Sequence, residues 1–464
     1  MTISLYPDQQ DLIEATAASM RAGNRAVLMQ AATGAGKSVM ASELVRRAGL
    51  KESKTWFIVP RRDLLRQMSA TYDDFGLDHS FIADKYTHNA LSNTHICSLG
   101  TLRSRLSKIT RPPQLAIVDE THVGGDGLDD IIKWLKAAGC YIIGLSATPW
   151  KLSGQGLGCW YDDMVQGLPI ADLIRLGRLS SYKAYAPSHP DLSSVGKSAG
   201  DYAKGQLSSF MEADRVLTGN AVAHYKKYAH GKLSVAYCVS IKHSQMVAES
   251  FRDAGVPAAH MDGETPPEER IRIIRAFANR ELLVLTNCEL LTYGFDLASQ
   301  VGRDVTIECM SDLRPTKSLA LQMQKWGRVL RRKTEPALIF DHANNLTEHG
   351  LPCDDRKWTL TDRKRNTREV GEINVPVRQC DSCYFCHKPA PVCPQCGFVY
   401  PVIGREIEEV DGELSEVDVA RAKQAARVEV GRAKTIAELQ AIAAARGYKP
   451  AWVFQMARVK NIRA

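Results

Sequence analysis

The segment 32–38, with the sequence ATGAGKS, restricts the folds open to this chain more than any other feature. A short apolar run, 27–29, precedes it and a helix-like stretch, 38–48, follows. In a strand-loop-helix unit, glycines let backbone N–H groups face phosphates, and the helix N-terminus adds the positive end of its dipole. A glycine-rich turn is common in α/β folds, but Gly-Lys-Ser at this place is rarer. The segment predicts a triphosphate site formed by Thr33, Gly34, Ala35, Gly36, Lys37 and Ser38, with Lys37 at the β/γ-phosphates and Ser38 as a Mg²⁺ ligand.

Short apolar runs alternate with helix-like stretches along most of the chain, which predicts βαβ units around parallel sheets. The runs 27–29, 56–59, 115–118 and 141–145 belong to a first α/β lobe, residues 1–178. The pattern restarts in a second α/β lobe, residues 208–346, with expected strands at 234–239, 281–285, 305–307 and 337–340. The stretch 179–207 between them lacks periodicity and is interpreted as a connector.

The composition is that of a globular chain of several domains. Of 464 residues, 44% are hydrophobic and 24% are charged, which argues against a largely disordered or membrane-embedded protein. Neither a signal-peptide pattern nor a bilayer-length apolar run is present in the sequence, so secretion and membrane insertion are not expected. The net charge of +8 suits a polyanionic partner, although ordinary solubility explains it equally well.

Two adjacent carboxylates follow the third apolar run of the first lobe, in the tetrad DETH at 119–122. The carboxyl ends of parallel strands face the ligand crevice of an α/β sheet. There Asp119 can hold Mg²⁺ while Glu120 positions and deprotonates an attacking water. An Asp-Glu pair alone is usually a solvated strand end, but its place downstream of a phosphate loop favours catalysis. The segment 146–148, SAT, follows the next run and can hydrogen-bond to these carboxylates.

A basic helical stretch in the second lobe, 324–331 (QKWGRVLR), carries two arginines three residues apart. Residues with this spacing share a helix face, so Arg328 and Arg331 can approach one phosphate in a cleft between the lobes. Arginines supplied across such a cleft stabilise charge in phosphoryl transfer. The alternative is a solvated basic helix.

Taken together, these motifs resemble those of superfamily 2 helicases of the DEAD/DEAH-box type, over residues 5–341 and in the family's order. The resemblance implies two RecA-like lobes in tandem that bind and hydrolyse ATP between them. It assigns adenine recognition to Gln9, orientation of the water or γ-phosphate to Gln324, and the arginine fingers to Arg328 and Arg331. The segments 146–150 and 341–352 are similar to the phage and prophage branch of these helicases.

The same resemblance implies a nucleic-acid path across both lobes. In the first lobe the segment 59–64 resembles motif Ia and the segment 98–101 resembles motif Ib. In the second lobe TN at 286–287 and GFD at 294–296 resemble motif V. The residues implied at nucleic acid are Pro60, Arg61, Thr101, Thr286 and Asn287, and those implied at ATP are Gly294 and Asp296.

A cluster of cysteines predicts a structural zinc site after the second lobe. Four of them are spaced C-x2-C-x9-C-x2-C, at Cys380, Cys383, Cys393 and Cys396, which is the spacing of two knuckles on one tetrahedral Zn²⁺. Disulfides are the alternative, disfavoured because the scattered cysteines elsewhere suit a reducing compartment. Cys386 and His387 are additional ligand candidates, and either can replace Cys383, so the ligand set stays open.

The remaining boundaries follow from composition. A mixed-charge linker covers 347–375, the zinc-binding module 376–402, and a helical C-terminal module 403–464. Basic residues around Trp452 and Phe454 are consistent with a contact surface for DNA or protein, but a small helical bundle that buries both aromatics is favoured.

The function expected from the sequence is that of an ATP-dependent DNA helicase or translocase with ATP, Mg²⁺ and Zn²⁺ as cofactors. Its partner is single-stranded or forked DNA in phage or bacterial replication, recombination or repair, in the cytoplasm of a bacterial host. An RNA helicase is the first alternative. The second is a recruitment protein whose ATP cycle gates the docking of a replication or recombination protein onto its C-terminal tail.

Overall fold

A computed structural model describes residues 4–151, 154–187, 190–198, 201–213, 215–291, 297–303, 305–362, 377–401, 429–430, 433–446, 448, 450–460 and 462. The chain divides into two compact units, residues 1–400 and residues 401–464.

A seven-stranded sheet forms the centre of the first lobe, and all its strand pairs are parallel. Its strands are β1 (Ala26–Gln30), β2 (Thr55–Val59), β3 (Ser80–Ile82), β4 (Thr94–Ser98), β5 (Leu115–Val118), β6 (Tyr141–Ser146) and β7 (Asp163–Gln166). They lie in the order β3-β4-β2-β5-β6-β1-β7. The helices are α1 (Pro7–Arg21), α2 (Lys37–Gly49), α3 (Asp63–Asp74), α4 (Leu99–Arg105), α5 (Asp126–Ala137) and α6 (Ile170–Arg175).

The second lobe has a parallel sheet of six strands in the order β12-β13-β11-β14-β15-β8. The strands from here to its end are β8 (Tyr182–Tyr185), β9 (Lys197–Ser198), β10 (Asp201–Tyr202), β11 (Ser234–Tyr237), β12 (Ala258–Met261), β13 (Val284–Asn287), β14 (Cys309–Asp312) and β15 (Ala337–Asp341). Strands β9 and β10 form a separate hairpin. The helices are α7 (Lys204–Ala213), α8 (Arg215–Tyr228), α9 (Ile241–Asp253), α10 (Pro267–Ala278), α11 (Leu297–Val301), α12 (Leu319–Val329) and α13 (Asn345–His349). The predicted pair of tandem RecA-like lobes is confirmed.

The central strands read as continuous apolar runs because helices cover both faces of each sheet. Every residue of β1, β2 and β4 is buried in the first lobe, as is every residue of β11, β13 and β15 in the second. The loops at the carboxyl edge of each sheet therefore follow strands that lie in a packed core.

Two strands of the second lobe lie elsewhere than predicted. The expected strand 305–307 is wrong: Val305 and Ile307 are buried in the core, but the strand begins at Cys309. The run CMSD at 309–312 looks polar because it ends in Ser311 and Asp312, but all four residues are buried and Asp312 pairs with Lys325 inside the lobe. The strand expected at 281–285 runs from Val284 to Asn287. Strand β8 lies within the stretch interpreted as a connector.

A small module with strands β16 (Arg378–Gln379) and β17 (Cys386–His387) follows the second lobe. It joins the free edge of β8, where Tyr185 bridges to Phe385 and the Ala186 N–H donates to the Tyr384 carbonyl at 3.1 Å. The rings of Tyr185 and Phe385 meet edge to face, 5.5 Å between centroids. The module therefore covers the open edge of the second sheet.

The second compact unit contains helices α14 (Ile436–Arg446) and α15 (Pro450–Val459). Their buried contacts are made by Leu439, Ile442, Ala443, Val453 and Ala457. The expectation that both aromatics are buried is wrong for Phe454, whose residue is 70% exposed, whereas Trp452 packs against the cluster. In the described part of the chain, no helix combines the length and apolar character required to cross a membrane.

Candidate ATP site between the lobes

Three loops of the first lobe meet at one edge of its sheet. Strands β5, β6 and β1 are neighbours and parallel, so the residues that follow them lie side by side. These are the DETH tetrad after β5, the SAT segment at the end of β6, and the phosphate loop after β1. The sheet topology thus brings together three motifs that are spread over residues 32–148 of the sequence.

The phosphate loop has the conformation that its glycines predict. Gly36 takes φ +85° immediately before α2 begins at Lys37, so the first N–H groups of that helix, which lack intrahelical acceptors, open toward the loop. The Gln9 side chain donates to the Ala35 carbonyl at 2.9 Å and accepts from the Tyr6 N–H at 3.0 Å. Gln9 therefore lies beside the loop, where the resemblance places an adenine-recognising residue. Ser38, the second residue of α2, is half-buried.

The charged centre of the site is buried. The Lys37 ammonium donates to the Ala31 carbonyl at 3.3 Å. Burial, together with repulsion from Glu120, raises the pKa of Asp119 to about 7, although Lys37 opposes the shift. Glu120 adopts a left-handed conformation, φ 44°, and its N–H donates to Asp119 Oδ1 at 2.9 Å. Residues held in this sparsely populated backbone region cluster at functional sites.

A hydrogen-bonded chain connects the second lobe to the DETH tetrad. Gln324 of α12 donates through Nε2 to His122 Nε2 at 3.0 Å and lies 3.5 Å from Glu120 Oε2. An imidazole that accepts at Nε2 carries its proton on Nδ1, which is 2.8 Å from Ser146 Oγ. Ser146 Oγ donates in turn to the Thr148 carbonyl. Burial lowers the pKa of His122, which favours this neutral form.

The two lobes are in close contact around the phosphate loop. A Cβ atom placed on Gly327 of α12 would lie 2.2 Å from Thr33 Cβ, so only glycine fits there. The hydroxyl of Thr33 is buried and has no hydrogen-bond partner among the described residues. A polar atom without a partner beside the phosphate loop is what a phosphate-binding loop leaves for its ligand.

The two predicted arginine fingers lie at the end of α12, in different settings. Arg328 is buried within the helix. Arg331 follows the end of the helix, and its backbone bridges to Leu179, so the prediction that both share one helix face is wrong. Leu330 caps the helix, and its N–H donates to the Trp326 carbonyl at 2.9 Å. Both guanidinium charges act on Tyr237, where they oppose the rise in pKa that burial causes.

Gly294 and Asp296, the second-lobe residues expected at ATP, lie outside the described residues. The other residues expected at the nucleotide lie in the loop before α2, in the first turn of α2 or directly after β5: Thr33, Gly34, Ala35, Gly36, Lys37, Ser38 and Asp119.

The residues expected at nucleic acid are divided between two kinds of surroundings. Pro60, Arg61 and Thr101 are half-buried at the carboxyl ends of β2 and β4, and Thr101 Oγ1 accepts from the Asp84 N–H at 3.3 Å. Thr286 and Asn287 are fully buried. Thr286 Oγ1 donates to the Ser244 carbonyl at 2.8 Å, and Asn287 Nδ2 donates to the Ala236 carbonyl at 3.0 Å. Contact with nucleic acid stays a prediction for all five.

A cationic cluster that the sequence reasoning did not find lies two residues after Asn287. The Glu289 carboxylate pairs with Lys204 at 2.9 Å and with Arg314 at 3.4 Å. Burial favours its neutral form, but Lys204 and Arg314, with a further contribution from Arg61 of the first lobe, lower the pKa of Glu289. No motif spacing signals this cluster, because its members come from four separate parts of the chain.

Four cysteine thiols converge in the module that covers β8. The Sγ atoms of Cys380, Cys383, Cys393 and Cys396 all lie within 4.8 Å of one another. The Cys380–Cys396 and Cys383–Cys393 pairs are 3.6 and 3.8 Å apart, close to the ~3.8 Å between sulfurs in a tetrahedron with Zn–S bonds of about 2.3 Å.

The two extra ligand candidates of this module have other contacts. The Cys386 thiol is buried in the core of the second lobe and donates to the Tyr384 carbonyl. His387 contacts the Tyr400 hydroxyl at 2.8 Å. Neither belongs to the group of four converging thiols among the described residues.

Comparison with known families agrees with this geometry. Residues 2–151 match the family described as type III restriction enzyme, res subunit, and residues 219–333 match the helicase conserved C-terminal domain. Over 402 residues the chain is 31% identical to a 51.5 kDa protein of a Lactococcus phage (isolate 7-9), covering 85% of this chain and 83% of that protein. The chain belongs to the superfamily 2 helicases. It is an ATP-hydrolysing, nucleic-acid-directed member of that superfamily.

Other members extend the comparison. The helicase is 31% identical over 342 residues to a Saccharomyces cerevisiae protein named as ATP-dependent helicase IRC3, but those residues span 70% of this chain and only 49% of IRC3. The solved structure of the ATP-dependent type ISP restriction-modification enzyme LlaBIII bound to DNA has 13% identity and a TM-score of 0.52, covering 73% of this helicase and 28% of that chain. The latter likeness concerns the fold.

Two residues that matter for the site had a weak signal in the sequence. His122 stands in the DETH tetrad and Gly327 in the arginine motif, yet neither spelling tells what the side chain or its absence contacts. The role of His122 follows from its contact with Gln324 of the second lobe, and the role of Gly327 follows from its contact with Thr33 of the first lobe.

Proposed function

We propose that this helicase is a DNA motor in which closure of the two lobes on ATP assembles the hydrolytic site. The observation that carries the proposal is the contact of Gln324, from the second lobe, with His122 and Glu120 of the first. A group that reaches the assigned base only when the lobes meet makes hydrolysis depend on closure.

The first lobe supplies the groups that hold the nucleotide and activate water. Lys37 and the N–H groups at the start of α2 bind the phosphates, and Ser38 and Asp119 hold Mg²⁺, which neutralises phosphate charge when bound. The unpartnered Thr33 hydroxyl fits the same ligand. Glu120 orients and deprotonates the attacking water.

The second lobe supplies the groups that respond to the developing charge. Gln324 orients the water or the γ-phosphate, and Arg328 and Arg331 stabilise the transition state as arginine fingers. When product leaves and the lobes separate, these three residues withdraw together, because all are carried by or directly follow α12.

Single-stranded or forked DNA is the proposed track, bound at Arg61, Pro60 and Thr101 on the first lobe and near Thr286 and Asn287 on the second. Support comes from the similarity to a phage protein and from the fold shared with LlaBIII, which was solved bound to DNA. The setting is phage or bacterial DNA replication, recombination or repair in the cytoplasm of a bacterial host.

A structural Zn²⁺ held by Cys380, Cys383, Cys393 and Cys396 completes the proposal. Four thiolates close the coordination shell and leave no position for a substrate, so the ion is structural. Because the module contacts β8, it covers the edge of the second sheet and protects that edge from pairing with other chains.

The test is ATPase turnover of wild type and Glu120→Gln with single-stranded DNA, duplex DNA, RNA or no nucleic acid. We expect stimulation by single-stranded DNA, and a loss of ~10²- to 10⁴-fold in Glu120→Gln with ATP binding retained. Asp130→Asn is the matched control, since it removes a carboxylate from an exposed ion pair of the same lobe. Normal hydrolysis by Glu120→Gln would refute the assigned base.

The alternatives give different results in the same assay. Stimulation by RNA with little response to DNA would make the protein an RNA helicase. A recruitment protein that docks a replication partner through its tail would be favoured by two results together: ATPase turnover that no nucleic acid changes, and loss of function on removing residues 401–464.

A further inference from the structure

The segment 350–362 leaves the second lobe and returns to the first; it is called the strap below. At its start Leu351 is buried in the core of the second lobe. Near its end Leu360 packs against the core of the first lobe. A cavity under the strap is lined by Gln30, Ala32 and Ile170 of the first lobe and Met323 of the second, so the strap lies across the seam.

Arg356 holds the first part of the strap in its folded form and joins it to the end of α13 and to α12 of the second lobe. Its guanidinium donates to four carbonyls, those of His349 at 3.1 Å, Leu351 at 2.8 Å, Pro352 at 3.1 Å and Asp354 at 2.9 Å. The same group lies 5.7 Å from the ring of Trp326, which precedes Gly327 in α12. The fixed fork of an arginine suits this role, because several donors bind at once without a flexible head group.

The far end of the strap binds to the loop that follows the SAT segment of the first lobe. Trp150 Nε1 donates to the Thr361 carbonyl at 3.0 Å, and the Gly158 N–H donates to the Leu360 carbonyl at 2.9 Å. The Gly156 N–H donates to Asp362 Oδ1 at 2.8 Å. The rings of Trp150 and Trp358 lie 5.1 Å apart. The strap thus joins the second lobe to the loop that follows Thr148 in sequence.

Gly156 allows the strap to approach the backbone of the first lobe. A Cβ atom there would lie 2.1 Å from the Leu360 carbonyl oxygen and 2.4 Å from the Thr361 carbonyl carbon. The three nearest atoms to that position all belong to the strap. The backbone of Gly156, φ −69° and ψ 155°, is one that alanine adopts without strain. A single methyl group at 156 therefore collides with the strap and with nothing nearer in the first lobe.

We propose that the strap is an interlobe tether that favours the closed cleft, and that Arg356, Trp358 and Leu360 are positioning residues for ATP hydrolysis. The inference rests on the closure-dependent site proposed above and adds a residue set outside all the helicase motifs. Opening the cleft separates the anchors at Arg356 and at Gly156, so docking of the strap and closure of the lobes are coupled. If only a fraction of the molecules is in the closed, binding-competent state, the apparent Kd for the ligand equals the intrinsic Kd divided by that fraction.

The test is Gly156→Ala, with Gly49→Ala as control, because a Cβ on Gly49 meets no atom within 4 Å. We expect the KM for ATP to rise at least threefold in Gly156→Ala, while kcat at saturating ATP and DNA changes by less than twofold. Saturating ligands close the cleft without help from the strap. Hydrogen exchange of the amides at 156 and 158 reports undocking directly, since both donate to the strap.

Two results would overturn the tether. One is that hydrogen exchange shows the strap to be undocked in Gly156→Ala while the KM for ATP is unchanged. The other is a lower kcat at the same KM, which indicates a damaged fold. If Gly156→Ala fails to fold, Leu360→Ala carries the same expectation, with Thr359→Ala, exposed in the middle of the strap, as its control.

The tether and the proposed function fail in distinguishable ways. Wild type without DNA-stimulated ATPase would refute the function. The strap is then judged by energy transfer between dyes at exposed positions 52 and 281, one on each lobe. A wider distance distribution in Gly156→Ala supports the tether, and an unchanged one overturns it.

Discussion

Gly327 of the second lobe presses on Thr33 of the phosphate loop so closely that a Cβ on the glycine would lie 2.2 Å from the threonine Cβ. The contact explains why a glycine stands within the last turn of α12, although glycine in a helix costs roughly 0.5–1 kcal/mol relative to alanine. Glycine is needed here because the arginine-bearing end of α12 lies close to the loop that holds the phosphates.

The first prediction follows from that contact. Gly327→Ala should lower kcat/KM for ATP at least tenfold, about 1.4 kcal/mol in transition-state stabilisation, because the methyl group keeps the lobes apart. The thermal midpoint should stay level or rise, since alanine is the better helix former. Steady-state ATPase and thermal unfolding check both parts. Gly205→Ala, in α7 with no atom within 4 Å of the added carbon, should behave as wild type.

Glu289 gives a prediction about nucleic-acid affinity. Its carboxylate neutralises Lys204 and Arg314 close to the proposed DNA path. Glu289→Gln should bind single-stranded DNA about three- to tenfold more tightly at low salt, with a salt dependence steeper by roughly one counterion, because a cation is released for a phosphate. Fluorescence anisotropy across a salt series measures both. The exposed Glu335→Gln carries the same charge change, and equal tightening there would refute a local effect.

The cysteine module predicts a metal stoichiometry. Native protein should contain one Zn²⁺ per chain, and Cys393→Ser should lose it, since three thiolates leave the shell open. Cys386→Ser should keep the metal because that thiol faces the core of the second lobe. Elemental analysis decides, and retention of zinc by Cys393→Ser would exclude the proposed ligand set. Loss of the ion should also lower the thermal midpoint, because the edge of β8 loses its cover.

His95 of β4 predicts how the first lobe responds to acid. The side chain is fully buried, Nε2 donates to the Asn89 carbonyl at 3.0 Å, and burial lowers the pKa of His95 to about 4. The unfolded chain binds the proton near pH 6.5, so stability is complete above that value and falls as the pH drops toward 4.

The expected size of this effect is about 2 kcal/mol in the free energy of unfolding between pH 7.5 and pH 5. Urea unfolding of wild type and His95→Gln at both values measures it as the difference between the two proteins. A wild type that loses no more stability than His95→Gln over this range would show that His95 is not the titrating group.

The sequence predicted the lobes and the phosphate loop because each rests on local pattern: an apolar run, a glycine-rich turn and a helix start. The strand at Cys309–Asp312 escaped prediction because it ends in two polar residues, and the charge of one of them, Asp312, is paired with Lys325 at 2.7 Å inside the lobe. The β-branched residues at 305–307 favoured a strand there, but the segment that is buried in the sheet is 309–312.

Contacts across the cleft could not be predicted for a different reason. The bond between Gln324 and His122 joins residues that no local pattern relates, and the setting of Arg331 depends on where α12 stops. The strap likewise has no periodicity of its own, and it is defined only by the surfaces it touches on either side.

The position of β8 has a consequence for the order in which the chain is made. This strand, Tyr182–Tyr185, pairs with Ala337–Asp341 on one side and meets Phe385 on the other. On the ribosome, the first lobe is complete before any of these partners has been synthesised. Strand β8 can pair with Ala337–Asp341 only after more than 150 further residues have been added, and its outer edge is covered only after the cysteine module has been made. A nascent chain halted in between carries a bare strand, open to pairing with other chains.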